Sequence, residues 1–134
     1  MALVDAFSAI RSYLLADAAV SASVGGNRIY PLKMPQGETG SSIVLSRISA
    51  VGDHTNDGPV LLGRIRYQVD CYALTFGACA DLALAVKSRL DGVRGTLSGI
   101  SVKGIFFDSE RDGYEPETEF YRVSQDFIVW HDEG

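Results

Sequence analysis

The stretch Arg64-Ile65-Arg66-Tyr67-Gln68-Val69-Asp70-Cys71-Tyr72-Ala73 alternates without a break. Ile65, Tyr67, Val69, Cys71 and Ala73 share one side; Arg64, Arg66, Gln68, Asp70 and Tyr72 share the other. A period of two sustained over ten residues specifies a strand with one face in a core and one face polar. Thr75 then stands where an N-cap is needed, its hydroxyl placed to accept from an amide of the next turn. Over about 76–91 the period changes. Phe76, Cys79, Ala80, Ala83, Val86 and Leu90 form one helical stripe, widened by Leu82, and Gly92 supplies the stop. This alanine-rich helix is apolar over more than half its circumference, so it should lie flat on a sheet.

Upstream, residues 42–50 are a strand rich in Ile, Val and Leu, and 51–62 read as a long connection punctuated by Asp57-Gly58-Pro59. Arg28 to Pro31 is a short extended piece leading into a turn-rich stretch that reaches Gly40. Residues 3–19 carry Leu3, Phe7, Ile10 and Leu14 at helical spacing, with Gly25-Gly26 barring continuation. Downstream, 100–108 form a strand, an acidic turn follows, and 118–130 form a long strand. That last strand sets Tyr121, Val123, Phe127 and Val129 against Arg122, Ser124 and Asp126. The order helix, strand, strand, helix, strand, strand specifies a single α+β domain over residues 1–134. Its sheet is expected to be mostly antiparallel or mixed, with two helices packed on one face. The other face, with Arg64, Arg66, Asp70, Arg122 and Asp126, is too polar for a second core and is either solvated or buried against another subunit.

Composition agrees with one domain. At 134 residues, 46% hydrophobic and 22% charged, the chain can bury a core without staples. No apolar run approaches the roughly 18–20 residues of a membrane span, and a first stretch carrying Asp5 and no basic run is no secretory signal. Cys71 and Cys79 read as small apolar fillers in a reducing, cytoplasmic compartment. The net charge of −5 is concentrated: Asp108, Glu110, Asp112, Glu115, Glu117 and Glu119 face only Arg111 within that segment, leaving eleven acids and eleven bases elsewhere. Without a basic surplus, tight nucleic-acid binding by counterion release is not expected.

Candidate chemistry is sparse. His54 and His131 share no local motif with a Ser or Cys nucleophile, and Gly25-Gly26-Asn27 lacks the lysine or third glycine of a phosphate-binding loop. Asp108, Glu110, Asp112, Gly113 and Glu119 do fall at positions 1, 3, 5, 6 and 12 of a calcium-binding loop. The strand-like flanks, a glutamate at the third position and Pro116 favour a solvated acidic hairpin instead. No catalytic, cofactor-binding or metal-binding residue is therefore expected. Arg64 and Arg66 share their face with Asp70, and Asp126 lies on the polar face of another strand, so ion pairing within or between subunits is expected over a phosphate site.

Three stretches carry a resemblance: Gly25-Gly26-Asn27-Arg28-Ile29-Tyr30-Pro31, Arg66-Tyr67-Gln68-Val69-Asp70-Cys71-Tyr72-Ala73, and Tyr121-Arg122-Val123-Ser124-Gln125-Asp126-Phe127-Ile128-Val129-Trp130. Through these the chain resembles the tail-completion, or tail-terminator, proteins of long-tailed bacteriophages and prophages, from about Leu3 to Trp130. The resemblance implies an α+β structural protein, not an enzyme, that forms a homohexameric ring at the tail neck of the virion. It implies a ring that caps the head-proximal end of the tail tube, stops polymerisation and joins the head–tail connector. The implied partners are other copies of the chain, the tail tube protein and the connector protein; DNA passes without specific binding, no membrane is involved, and assembly takes place in the host bacterial cytoplasm. A closed ring joins two different patches on each subunit. Arg64, Arg66, Asp70, Arg122 and Asp126 are candidates for one, and Val60, Leu61 and Leu62 at the end of the 51–62 arm for the other. The acidic residues Asp108, Glu110, Asp112, Glu115, Glu117 and Glu119 would help make the channel non-adhesive to DNA. The alternatives are a head-side connector or stopper protein and a non-viral oligomeric α+β binding module.

Overall fold

The computed structural model describes the backbone of residues 3–55, 58–97 and 99–132, and the side chains of residues 7–50, 64–97 and 99–131. The amphipathic N-terminal segment is divided into α1 (Leu3–Leu15) and α2 (Ala18–Ser23), where one helix over 3–19 was expected. Asp17 makes the division. Its backbone is extended at φ −86° and ψ 127°, and its Oδ2 accepts from the Val20 amide at 3.1 Å, capping α2. The new helix direction carries Val20 and Val24 into the core.

The remaining elements are β1 (Ile29–Pro31), β2 (Ser42–Thr55), β3 (Gly58–Ala73), α3 (Phe76–Leu90), β4 (Gly95–Leu97), β5 (Ile100–Glu115) and β6 (Phe120–Asp132). They build a six-stranded mixed half-barrel in the order β1-β2-β3-β6-β5-β4. The β1–β2 pair is parallel; the other pairs are antiparallel. The expected α+β class, with its helices against one sheet face, is the architecture found.

Two segments read as connections are strand. Most of residues 51–62 extends β2 and β3 into a hairpin arm, paired from Val51↔Arg64 out to Thr55↔Gly58. The acidic segment likewise continues β5 as far as Glu115, paired to β6 through Glu115↔Phe120, so only residues 116–119 turn. In both cases the strand across the turn supplies the backbone hydrogen bonds that a weakly β-prone, polar sequence does not advertise. The three-residue edge strand β4 was not expected at all; it is held by Gly95↔Val102, Thr96↔Ser101 and Leu97↔Ile100.

The alternating row of β3 behaves as its period requires: Ile65, Tyr67, Val69, Cys71 and Ala73 are buried beneath the helices. Thr75 caps α3, its Oγ1 accepting from the Ala78 amide at 3.2 Å. Cys79, Leu82, Ala83, Val86 and Leu90 press on the sheet, whereas Phe76, at the helix start, is half exposed. On β6 the buried row includes Gln125, whose Nε2 donates to the Ala83 carbonyl at 2.9 Å and to Glu110 Oε1 at 3.1 Å. His131 closes the same row. It is buried beside Ala9 and Ile10 of α1.

Both cysteines are free and buried, Cys79 Sγ lying 3.1 Å from the Cys71 carbonyl oxygen. Burial pushes the Cys71 thiol well up and the Cys79 thiol up to about 11, which suits inert fillers.

Candidate functional site

The sheet face turned away from the helices carries a connected polar network. Arg66 Nη1 donates to Asp108 Oδ2 at 2.9 Å and lies 3.4 Å from Asp126 Oδ2. From β5, Arg111 reaches back with Nη1 3.7 Å from Asp126 Oδ2, while its Nη2 donates to Gln68 Oε1 at 3.0 Å. Gln68 Nε2 in turn donates to both oxygens of Asp70, at 2.9 and 3.0 Å. The register explains the arrangement. Arg66 and Arg111 stand on β3 and β5 with β6 between them, so each side chain crosses the central strand and lies along the sheet.

That covering shelters groups normally kept in water. Asp70, Ser42 and Ser124 are buried on this face, together with the apolar Val44 and Phe120. Phe120 stacks edge-on against Tyr72 with ring centroids 5.8 Å apart, so the face holds a small apolar cluster that its charged sequence hid. Burial, and then the nearby Asp70 carboxylate, raises the Tyr72 phenol above its ordinary value. Arg122 lies flat over Gly113, where an added Cβ would stand 2.5 Å from Nη2, and donates to Glu115 at 2.9 Å.

Of the residues expected at an interface, Arg66, Asp126, Arg122 and Asp70 are thus brought together on one face and engaged within the chain. Arg64 is the exception. It is exposed, lies over the Trp130 ring at 5.6 Å, and makes no ion pair among the described residues. Val60, Leu61 and Leu62 belong to the backbone of β3, but their side chains lie outside the described residues. Gln68 and Arg111, which link the network, escaped sequence reasoning because an amide and a lone cation among acids carry no interface signal.

The six acids do not form one patch. Asp108 is held by Arg66, Glu110 by Gln125 and Glu115 by Arg122, while Asp112, Glu117 and Glu119 are exposed with no ion pair among the described residues. The strand also sets where the acids at calcium-loop spacing stand. Along extended β5, alternate residues are about 7 Å apart, and the register shift between Phe107 and Ser109 leaves Asp108 with Arg66 on the polar face while Glu110 meets Gln125 on the other, so the carboxylates do not converge. Near the first turn, Glu38 accepts from the Tyr30 hydroxyl at 2.6 Å. This bond raises the Tyr30 phenol and lowers the Glu38 carboxyl.

Exposed apolar side chains are the other surface feature. Leu32, Ile48, Leu74, Phe76, Leu84, Phe106 and Tyr114 are each about half exposed or more. Leu32 and Tyr114 carried no signal in the sequence, because exposure of a single apolar residue has none.

Fold and surfaces together describe a structural subunit whose polar chemistry is spent on holding strands and presenting faces. Residues 8–132 match the family model described as Tail completion protein gp17, and the chain belongs to this family. It is accordingly a structural protein of a phage-like virion tail. A solved structure described as the virion of native gene transfer agent (GTA) particle contains a chain of the same fold, with a TM-score of 0.78 and 20% identity over 98% of this chain and 99% of that one. Among curated protein sequences none matches. No helix among the described residues is long and apolar enough to cross a membrane.

Proposed function

We propose that the protein is a tail terminator: a homohexameric ring that caps the head-proximal end of the tail tube, stops its polymerisation and joins the head–tail connector. The observation that carries this reading is membership of the tail completion family over nearly the whole chain. Its site is the tail neck, its partners are further copies of itself, the tube protein and the connector protein, and assembly takes place in the host cytoplasm. The polar sheet face, with Arg64 its least engaged cation, and the hairpin arm ending in Val60-Leu61-Leu62 are the surfaces assigned to contacts with other virion subunits. Asp70, Arg66, Arg122 and Asp126 set the shape of that face more than they bind across it. Glu117 and Glu119, in the turn after β5, line the passage, where uncompensated negative charge keeps DNA from adhering. Asp108, Glu110 and Glu115 are engaged within the chain and contribute less.

Electron microscopy of particles made without this gene tests the reading. Tails of scattered, excessive length unattached to heads are the expected result. Tails of normal length beside leaking or tailless heads would move the protein to the head-side connector, and intact infectious particles would overturn a virion role. Reversal of Glu117 and Glu119 to lysine is expected to slow DNA ejection; unchanged ejection would remove these acids from the passage.

A further inference from the structure

Two exposed apolar patches stand apart from the ion-pair network, and their surroundings differ in charge. The first is a groove of about 440 Å³ beside the edge strand β1, lined by Phe7, Pro31, Leu32, Leu45, Arg47 and Tyr67. Leu32 forms its lip, 73% exposed. Its φ of +66° is one that a branched residue avoids, and its amide holds it there by donating to the Leu45 carbonyl at 2.9 Å. Arg47 in the lining and Lys33 next to Leu32 are exposed, while Glu38, the acid of this stretch, is tied to the Tyr30 hydroxyl. Among the described residues the groove therefore has a cationic rim.

The second patch is an aromatic ridge at the start of α3. Half-exposed Phe76 and Tyr114 flank Tyr121, with ring centroids 6.0 and 4.9 Å from it. Asp112 shares the Tyr114 side of β5 and is exposed with no ion pair among the described residues, so this rim is anionic. Four strand spacings and four residues along β5 separate ridge from groove, on the order of 20 Å. The two patches cannot be parts of one site.

We infer that the aromatic ridge of one copy of this chain seats in the Leu32 groove of the next; the inference rests on the ring reading and specifies its subunit contact. Aromatic anchors in an apolar groove supply the buried centre of such a contact, and opposite rims supply its orientation. Charge also selects the symmetry. Groove against groove would oppose Arg47 and Lys33 to themselves, and ridge against ridge would oppose Asp112 to itself, so only the head-to-tail pairing that generates a ring is complementary.

Site-directed cross-linking tests this in the purified protein and in tails from the virus that encodes it. Copies carrying Leu32→Cys, mixed with copies carrying Tyr114→Cys and oxidised, are expected to give a heterotypic dimer. A chain carrying both is expected to give a ladder ending at the ring's copy number; native Cys71 and Cys79 are buried and stay silent. Arg47→Glu should reduce the ladder by about tenfold, and Asp112→Arg should restore it. Closed rings seen by microscopy without the Leu32–Tyr114 link would overturn this contact and leave the ring reading standing. Links between two Leu32→Cys copies would overturn it in favour of a two-fold contact. Absence of rings from both protein and tails would overturn the ring reading and the contact together.

Discussion

Asp126→Asn removes one charge from the middle of the polar sheet face while keeping the side chain's shape, and its cost separates two pictures of that face. A buried salt-bridge network that loses one partner is destabilised by about 3–5 kcal/mol, because the charges left behind are stranded. The geometry here argues for much less. Arg66 and Arg111 lie 3.4 and 3.7 Å from Asp126 Oδ2, longer than a strong charged hydrogen bond, and their side chains are 35% and 56% exposed. Each also keeps a second partner: Arg66 retains Asp108 at 2.9 Å, and Arg111 retains Gln68 at 3.0 Å. Asp126 Oδ1 is buried with no partner among the described residues, so the carboxylate's own desolvation already offsets part of its attraction. Two screened pairs at about 0.5 kcal/mol each give a loss of about 1 kcal/mol, or roughly 4 °C in Tm for a domain of this size. Urea and thermal unfolding of the two proteins measure it, and the loss should shrink further in 0.5–1 M salt, on the order of the Debye screening expected. A loss of about 3 kcal/mol or more, insensitive to salt, would refute the reasoning and show that the network acts as one buried unit.

The other expectations concern the core, the caps and alkaline pH. Val69→Asp places an unpaired carboxylate at a site 1% exposed and is expected to abolish the folded circular dichroism spectrum; a soluble, cooperatively melting variant would contradict the placement of β3. Asp17→Ala removes the acceptor that caps α2 and should cost about 1 kcal/mol in urea unfolding, with Asp17→Asn recovering most of it. The Cys79 thiol, pushed from 9.0 to about 11, makes the folded state hold a proton that the unfolded chain releases. Its contribution to stability is thus complete below about 9 and is lost as pH rises toward 11, with Cys71 and the raised tyrosines Tyr67 and Tyr72 acting in the same direction. Stability flat or rising from pH 9 to 11 would contradict that, as would rapid reaction of either thiol with a chromogenic disulfide at pH 8 in the native protein.

Elements whose own side chains carry a period are legible in the chain itself. The inward row Ile65 to Ala73, the Thr75 cap and the Cys79–Leu90 stripe follow from periods of two and about 3.6 that hold without reference to any partner. The N-terminal helix is legible as a helix but not as two. Its apolar spacing runs through Asp17, and only the bond from the Val20 amide turns that residue into a cap. The arm beyond Val51 and the acidic half of β5 read as connections for a related reason. Their strand state depends on the pairing of each segment with the strand across its own turn, from Val51↔Arg64 to Thr55↔Gly58 and from Ser109↔Asp126 to Glu115↔Phe120, about which local composition is silent.

The candidate surfaces divide along the same line. Which residues share the polar face was decided by strand parity, and Arg64, Arg66, Asp70, Arg122 and Asp126 do lie on it. How they are spent was decided by strand order. With β6 set between β3 and β5, Arg66 and Arg111 are drawn across it toward acids of the same chain, and most of the expected intersubunit charge is satisfied internally. By itself the sequence determined the α+β class, the inward rows and the absence of a basic surplus, because periodicity and charge are properties of the chain. Only the tertiary structure decided which charges remain unengaged, that Leu32 stands strained beside a groove, and that Phe76, Tyr121 and Tyr114 form one ridge. Those depend on residues far apart in sequence meeting on neighbouring strands.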